Sequence, residues 1–150
     1  MTIVPMTEAM LPQVLELETQ CFSVPWSAQS FLSELRDPSC RWFAALEGER
    51  VLGYAGMQTV LDEGYIGNIA VDPLQRRKGI AAALLAALLT EGEALSLSFL
   101  TLEVREHNEP AIRLYESRGF VPVGRRKAYY SHPTEDAVLM TYYLQKEERP

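Results

Sequence analysis

A short basic turn lies between an apolar run and an Ala/Leu-rich segment, and its residue types suit anion binding. Arg76, Arg77 and Lys78 supply positive charge, and Gly79 lets the backbone approach a ligand closely. A helix that begins at Gly79 presents unpaired backbone N–H groups and the positive end of its dipole to that ligand. The turn therefore predicts a site for a phosphate-bearing molecule. An ordinary helix start with solvated arginines explains the same residues equally well.

Other nucleotide-binding signatures are absent from the sequence. Neither the P-loop pattern G-x-x-x-x-G-K-[ST] nor the dinucleotide pattern G-x-G-x-x-G occurs, so neither ATP nor NAD is indicated. The small side chains of Ala81 and Ala82 leave room beside the basic turn for a ligand.

Two side chains further along the chain are candidates for a chemical role. Glu103 lies near the end of an otherwise apolar strand, where a carboxylate is costly unless it has a task or a partner. Tyr115 follows Ala111 by one helical turn, and the small alanine leaves space over the phenol ring. A solvated glutamate and a tyrosine packed in the core explain the same spacing, so the residue types alone leave the question open.

The elements that must position these residues follow from hydrophobic periodicity and from turn and cap signals. A helix is predicted to start at Thr7, a second at Ser27, and a third at Gly79, and Asn108 and Gly119 are predicted to cap and close the fourth. The predicted strands are residues 2–4, 41–46, 51–61, 65–71, 97–104, 120–130 with a break at Gly124, and 136–144; the predicted helices are 7–20, 27–37, 79–93 and 108–119.

This order of elements predicts a single α/β domain over residues 1–150, with a mixed, largely antiparallel central sheet and helices on both faces. A doubly wound sheet is excluded because the first half is a strand-rich meander. The segment 22–27, Phe-Ser-Val-Pro-Trp-Ser, is interpreted either as a lid on a cleft or as a hydrophobic staple for the second helix. The tail from Lys146 to Pro150 is predicted to fray.

The composition is that of an ordinary soluble domain, with 47% hydrophobic and 23% charged residues. A net charge of −6 argues against direct nucleic-acid binding. A second basic triplet, Arg125, Arg126 and Lys127, repeats the residue types of the first, and we interpret it as a solvated charged face.

Cysteine and histidine usage gives no metal site. Cys21 and Cys40 form no C-x-x-C pair, and with only His107 and His132 beside them no ligand spacing arises. The two thiols are expected to be free in a reducing compartment. The apolar run 80–89 is too short to cross a bilayer, and we predict a cytoplasmic protein with no membrane partner.

Several longer motifs make the chain resemble the GCN5-related N-acetyltransferase (GNAT) superfamily, and within it the RimI type of ribosomal-protein alanine N-acetyltransferases. The turn R-R-K-G-I-A is similar to that superfamily's pyrophosphate motif, Arg/Gln-x-x-Gly-x-Gly/Ala. The further matching segments are V-P-W-S at 24–27, N-I-A-V-D-P at 68–73, L-E-V-R at 102–105, N-x-x-A-I-x-L-Y-E-S-x-G-F at 108–120, and Y-Y with E-D-A at 129–137.

The resemblance implies acetyl-CoA as co-substrate and a role for each matched residue. Glu103 would be the general base and Tyr115 the general acid, and the N–H of Val71 would polarise the thioester carbonyl. The residues implied to contact the cofactor are Ile69, Ala70 and Val71 for the pantetheine arm, Arg76, Arg77, Lys78, Gly79, Ile80, Ala81 and Ala82 for the pyrophosphate, and Asn108.

The resemblance also implies the acceptor, the N-terminal alanine of the eighteenth protein of the small ribosomal subunit. An α-amine loses only about 1.4 kcal/mol to deprotonation at pH 7, whereas a lysine loses roughly 4.6 kcal/mol, so a weak base suits the α-amine better. Acetylation of lysine or of a small amine, and a non-catalytic acyl-CoA-binding module, are the alternatives. The loop 131–134, Ser-His-Pro-Thr, departs from the family pattern beside the acceptor groove, so it bears on peptide choice.

Overall fold

The computed structural model describes residues 1–145, in which seven strands and four α-helices follow one another in the predicted order. The prediction of a frayed tail concerns residues 146–150 and lies outside the described part of the chain. The elements are β1 (Thr2–Pro5), α1 (Leu11–Cys21), α2 (Ala28–Arg36), β2 (Cys40–Glu47), β3 (Arg50–Val60), β4 (Glu63–Val71), α3 (Ile80–Ala94), β5 (Phe99–Arg105), α4 (Glu109–Ser117), β6 (Val121–Tyr130) and β7 (Glu135–Tyr143).

All seven strands form one sheet in the order β1-β2-β3-β4-β5-β7-β6. Every neighbouring pair is antiparallel except β4 with β5, which run parallel. The connection between these two parallel strands is the long helix α3, as a parallel crossover requires. The predicted mixed and largely antiparallel sheet is therefore confirmed.

Hydrophobic residues cover both faces of the sheet and form two separate cores. Along β2 the residues alternate between them, so that Trp42 joins the core under α1 and α2 while Ala45 joins the core under α3. Leu84, Leu85 and Leu88 of α3 are fully buried in the second core, which also receives part of α4. Helices on both faces, as predicted from the sequence, are confirmed.

Local cap signals place the helix starts next to the site with one exception. The Ser27 hydroxyl accepts the Ser30 N–H at 3.2 Å, and the Asn108 side chain accepts the Ala111 N–H at 3.3 Å. The prediction that Thr7 caps the first helix is wrong. A 3₁₀ turn at Glu8–Met10 comes first, and the Thr7 side chain makes no cap hydrogen bond.

The segment 22–27 contains the hydrophobic staple that was one of its two interpretations. Trp26 immediately precedes Ser27, the N-cap of α2, and Phe31 is the fourth residue after that cap. The two rings lie 5.3 Å apart, as in a hydrophobic staple. The Trp26 ring also lies 5.8 Å from Trp42 of β2. These contacts fix the path of the chain between α1 and α2. Within residues 1–145, no helix has both the length and the apolar character needed to span a membrane.

Candidate active site

The sheet opens between β4 and β5. The two strands pair only where Glu63, Gly64 and Tyr65 lie opposite Phe99, Leu100 and Thr101, and beyond these pairs they part. On its other edge, β4 continues to pair with β3 as far as Val71. We call the resulting gap along residues 66–71 the seam. It leaves this edge of β4 without a neighbouring strand, although the Val71 carbonyl accepts a hydrogen bond from the Cys21 thiol at 3.5 Å.

The hydrogen-bond pattern identifies which backbone groups face the seam. The Asp72 N–H donates to the Leu52 carbonyl at 2.8 Å, so Asp72 and, two residues earlier, Ala70 point their amides at β3. Antiparallel pairing alternates, so Ile69 and Val71 direct their N–H and C=O groups away from β3 and into the seam. Ile69 and Val71, two of the predicted cofactor residues, therefore have backbone groups on the seam side, and their contact with a cofactor stays a prediction.

A β-bulge interrupts β4 just before these residues. Three steps of β4, from Ile66 to Ile69, lie opposite two steps of β3, from Ala55 to Met57. The extra residue falls at 67–68, where the strand turns away from β5. The bulge therefore contributes to opening the seam.

The basic turn leads from β4 into α3 and bends sharply. Arg77 and Gly79 both have positive φ, +65° and +79°, which curls successive N–H groups toward one point. The first helical bond of α3 joins the Ala83 N–H to the Gly79 carbonyl at 3.0 Å. The preceding N–H groups, those of residues 80–82, consequently have no partner within the helix. This is the geometry of an anion site at a helix N-terminus.

Asp72 fixes the position at which the turn leaves the sheet. Its Oδ1 accepts the Leu74 N–H at 2.9 Å, and its Oδ2 lies 3.0 Å from a guanidinium nitrogen of Arg50 in β3. Asp72 is only 8% exposed. Its two contacts hold the start of the turn against β3.

Two clefts adjoin along the seam. The turn-side cleft, of about 850 Å³, contains the seam-facing end of β4 and the start of α3; the loop-side cleft, of about 630 Å³, contains the end of β5 and the loop after β6. The side chains that line both clefts are Cys21, Phe22, Ile69, Asn108, Ala111 and Tyr115.

The predicted cofactor residues gather in the turn-side cleft with one exception. Its lining includes Ile69, Ala70, Val71, Arg76, Arg77, Gly79, Ile80, Ala81, Ala82 and Asn108. Lys78 lines neither cleft, and its ammonium group donates to the Gln75 side chain at 2.9 Å. Within residues 1–145, no group of three or more His, Cys, Asp or Glu side chains is arranged to hold a metal ion.

Tyr115 lies where the two clefts meet. Its ring centroid is 5.8 Å from that of Phe120, just beyond the end of α4. Burial raises the pKa of Tyr115 to about 12, because the phenolate would lose its hydration there. The phenol therefore keeps its proton throughout the neutral range and can act as a donor.

Glu103 lines the loop-side cleft, and its carboxylate has a partner. The Arg126 Nε donates to Glu103 Oε1 at 3.2 Å, and the side chains are 54% and 28% exposed for Arg126 and Glu103. The interpretation of the second basic triplet as a merely solvated face is therefore wrong for Arg126. The arginine lies on β6 and reaches Glu103 on β5 across the intervening β7.

The other two residues of the triplet differ in their contacts. Arg125 forms an ion pair with Glu106, and its guanidinium lies 3.6 Å from Asp136. Lys127 is exposed, and among the described residues it takes part in no ion pair. Only for Lys127 does the solvated interpretation fit.

The loop after β6 is held by Arg105 at the end of β5. The guanidinium donates to the carbonyls of Ser131 and Pro133, both at 3.0 Å, and pairs with Glu135 at 3.2 Å. The backbone N–H of His107 donates to Glu135 at 2.9 Å and, with Arg105, holds the pKa of that carboxyl below its ordinary value. This loop is a fixed wall of the loop-side cleft.

A buried carboxylate braces the opposite wall. Glu18 of α1 is 1% exposed and accepts hydrogen bonds from the Tyr54 hydroxyl, from the Trp26 N–H at 2.9 Å and from the Asn68 amide at 3.5 Å. Burial, with the adjacent carboxylate, raises the pKa of Tyr54. Glu18 thus ties the segment 22–27 to the bulge in β4.

Sequence reasoning missed several residues of the loop-side cleft. Phe22 and Val24 belong to the segment interpreted as lid or staple, and they line this cleft while Trp26 provides the staple. Tyr129 and Tyr130 also line it. An aromatic pair beside a predicted hairpin loop was the available signal, but the clefts themselves arise from contacts distant in sequence.

The seam and the basic turn suit a ligand that lies along an open strand edge and carries an anion at a helix N-terminus. The chain matches the family model described as "Acetyltransferase (GNAT) family" over residues 11–120, and it belongs to that family.

Within this family the chain is similar to proteins that share one name. The chain is 39% identical over 134 residues to the [ribosomal protein bS18]-alanine N-acetyltransferase of Escherichia coli, covering 87% of this chain and 88% of that one. It is 37% identical over 135 residues to the Haemophilus ducreyi protein of the same name, covering 88% and 92%.

Solved structures agree with the fold. The crystal structure of the ribosomal-protein-S18-alanine N-acetyltransferase from Escherichia coli superposes with a TM-score of 0.88 at 36% identity, covering 96% of this chain and 94% of that one. Arabidopsis thaliana NAA60 in complex with acetyl-CoA gives a TM-score of 0.87 at 21% identity, covering 95% and 98%, and is similar in fold.

Proposed function

We propose that this protein transfers the acetyl group of acetyl-CoA to the α-amine at a protein N-terminus, and that its acceptor is the N-terminal alanine of ribosomal protein bS18. The observation that carries the proposal is the pair of clefts that meet at Ile69 and Tyr115, one with an anion-binding turn and one with a carboxylate. The names of the 37–39% identical relatives support the choice of acceptor.

The turn-side cleft would hold the donor. The free N–H groups of residues 80–82 and the guanidinium groups of Arg76 and Arg77 suit the pyrophosphate of coenzyme A. The N–H and C=O groups of Ile69 and the N–H of Val71 can pair with the pantetheine arm as a neighbouring strand would. A backbone N–H at Val71 would polarise the thioester carbonyl and stabilise the negative charge that develops there.

The loop-side cleft would hold the acceptor with its α-amine near Glu103. The amine nitrogen must be neutral to attack the carbonyl carbon, and this costs an α-amine only about 1.4 kcal/mol at pH 7 against roughly 4.6 kcal/mol for a lysine. As the nitrogen–carbon bond forms, the amine loses a proton, which the Glu103 carboxylate can accept through a water molecule.

Tyr115 would act on the departing sulfur. When the carbon–sulfur bond breaks, its electron pair remains on the sulfur, and the neutral phenol can donate a hydrogen bond and then its proton there. The pKa of about 12 keeps this proton in place until the sulfur develops negative charge. The products are the acetylated amine and the free thiol of coenzyme A.

A single peptide tests the proposal. It begins with alanine, follows the N-terminal sequence of bS18 and contains one internal lysine; it is incubated with the enzyme and acetyl-CoA, and the modified atom is located by tandem mass spectrometry. We expect acetylation of the α-amine alone. The same peptide with its N-terminus already acetylated is the matched control and should not react.

Other outcomes of this experiment would contradict the proposal in distinct ways. Acetylation of the lysine in both peptides would identify a side-chain acetyltransferase. Tight binding of acetyl-CoA with no acetylation of any amine would identify a non-catalytic acyl-CoA-binding module. Replacing the first alanine with other residues then measures how strongly the cleft selects it.

A further inference from the structure

Arg126 is a residue of the second basic triplet that the proposed reaction does not use, and it contacts Glu103 directly. We propose that Arg126 is a positioning residue which neutralises Glu103, so that the acceptor amine enters the loop-side cleft uncharged and not as an ammonium bound to the carboxylate. The inference rests on the proposed function, because it concerns the acceptor of that reaction.

The position of Arg126 is fixed from two sides. Its Nε lies 3.2 Å from Glu103 Oε1, and its guanidinium carbon lies 5.9 Å from the centre of the Tyr129 ring, which lines the loop-side cleft. A guanidinium over an aromatic face and against a carboxylate is held in place by two independent attractions. Both contacts favour a position of the guanidinium beside Glu103, although the Arg126 side chain is 54% exposed.

Register explains why Arg126 and not a neighbour reaches Glu103. Across β7, Arg126 lies opposite Ala137 and Glu103 lies opposite Leu139, two residues apart on the same face of the sheet. Adjacent residues of β6 point in other directions. Arg125 pairs with Glu106, while Lys127 extends into solvent.

The chemistry supplies a reason for this pairing. An uncompensated carboxylate in the cleft would attract the acceptor as an ammonium ion, which has no lone pair and cannot attack the thioester. Such a complex would be tight but unreactive. A guanidinium on Oε1 offsets this attraction and leaves Oε2 to accept the proton during the reaction. Arg126 would thus favour the reactive form of the bound acceptor.

Steady-state kinetics of Arg126→Gln test the proposal, with Lys127→Gln as the control that removes one charge from the same strand. For Arg126→Gln we expect kcat for the alanyl peptide to fall about tenfold, with the acceptor KM unchanged or lower and the acetyl-CoA KM unchanged. Lys127→Gln should match the wild type. Arg126→Lys, which keeps the charge, should recover most of kcat.

Other kinetic results would overturn the proposal. An acceptor KM that rises while kcat is unchanged would show that Arg126 only shapes the cleft wall. An unchanged kcat and KM would show that the ion pair has no effect on the reaction. Equal losses in Arg126→Gln and Lys127→Gln would assign the effect to the general charge of β6.

A binding measurement separates this inference from the proposed function. Calorimetry with coenzyme A present compares the alanyl peptide with its N-acetylated form. Arg126→Gln should bind the free-amine peptide several-fold more tightly than the wild type does, with no change for the acetylated peptide. If the wild type shows no turnover while Arg126→Gln still binds the free-amine peptide more tightly than the wild type does, the result would contradict the proposed function and support the effect of Arg126 on amine binding. No shift in either peptide would overturn that role.

Discussion

Tyr115 and Glu103 receive their chemical properties from opposite kinds of surroundings. Tyr115 of α4 is partly buried against Phe120, and the loss of hydration there raises its pKa to about 12. Glu103 is partly exposed and bound to a guanidinium. A phenol that stays protonated and a carboxylate that stays accessible are the two states that direct acetyl transfer requires.

Replacing Tyr115 with phenylalanine should lower kcat by about 10²-fold, because the sulfur loses its proton donor while the ring keeps its place. Isothermal titration should show coenzyme A binding within about twofold of the wild type. The folded-state pKa lies above the ordinary value of 10, so the active neutral form persists below about pH 11. A wild-type rate that declines between pH 9 and 10, with no such decline in the residual rate of Tyr115→Phe, would contradict this assignment.

Glu103→Gln should lower kcat for the alanyl peptide by about 10²-fold, because an amide cannot accept the amine proton. Glu116→Gln, an exposed change on α4, is the control and should leave the rate unchanged. Both variants are compared by steady-state assay at saturating acetyl-CoA. Full activity of Glu103→Gln would remove this residue from the mechanism.

The sequence predicted chemical roles for Glu103 and Tyr115, but it predicted neither the ion pair of Glu103 nor the burial that raises the pKa of Tyr115. Both predictions rest on the resemblance of residues 102–105 and 108–120 to family motifs, each of which is local in the sequence. Arg126 was misinterpreted because its partner lies two strands away, and the order β5-β7-β6 that joins them cannot be derived from the periodicity of any one segment.

Among the elements, the turn before α3 combines strain with function. Gly79 has a φ of +79°, and a Cβ there would meet no atom within 4 Å. The glycine is therefore required by backbone conformation and not by space. The bend of the backbone at Gly79 directs the first N–H groups of α3 toward the turn-side cleft.

Gly79→Ala should weaken coenzyme A binding about tenfold, because the turn relaxes toward negative φ and moves the N–H groups. Gly48→Ala is a close control, since Gly48 also has a positive φ of +61° and open space, but lies in the β2–β3 hairpin. Each change should reduce the free energy of unfolding by about 1–2 kcal/mol. Titration calorimetry should find the affinity loss only in Gly79→Ala; equal affinities would contradict an anion site at this turn.

Element boundaries were predictable where the signals are local. Ser27, Asn108 and Gly119 act as cap and terminator as the sequence predicts, because each contacts backbone within three or four residues. Thr7 failed since a 3₁₀ turn precedes α1. The bulge in β4 could not be predicted, because it is defined only relative to β3.

For the whole molecule, Glu18 links parts of the chain that form different walls of the site. One carboxylate accepts hydrogen bonds from β3, from the segment 22–27 and from β4. Buried carboxylates are tolerated only with such partners, and their donors depend on them equally.

Glu18→Ala should reduce the free energy of unfolding by about 3 kcal/mol, because it leaves the buried Tyr54 hydroxyl and the partly buried Trp26 N–H without their acceptor. Glu16→Ala removes an exposed carboxylate from the same helix and should change it by less than about 0.5 kcal/mol. Urea denaturation compares the two. A loss below about 1 kcal/mol in Glu18→Ala would mean that water replaces the carboxylate without penalty.

The parting of β4 from β5 also has a mechanical consequence. Three backbone residue pairs join the half-sheet β1–β4 to the half-sheet β5–β7, so the two halves are connected at one end only. A pantetheine arm bound along the seam would supply the missing contacts between them. Amide hydrogen exchange can follow this: Ile69 and Val71 should exchange rapidly in the free protein and slowly with coenzyme A, whereas Ala70, bonded to β3, should be slow in both. Bound coenzyme A would then act as an additional strand of its own enzyme and would stiffen the connection between the two half-sheets before any acceptor binds.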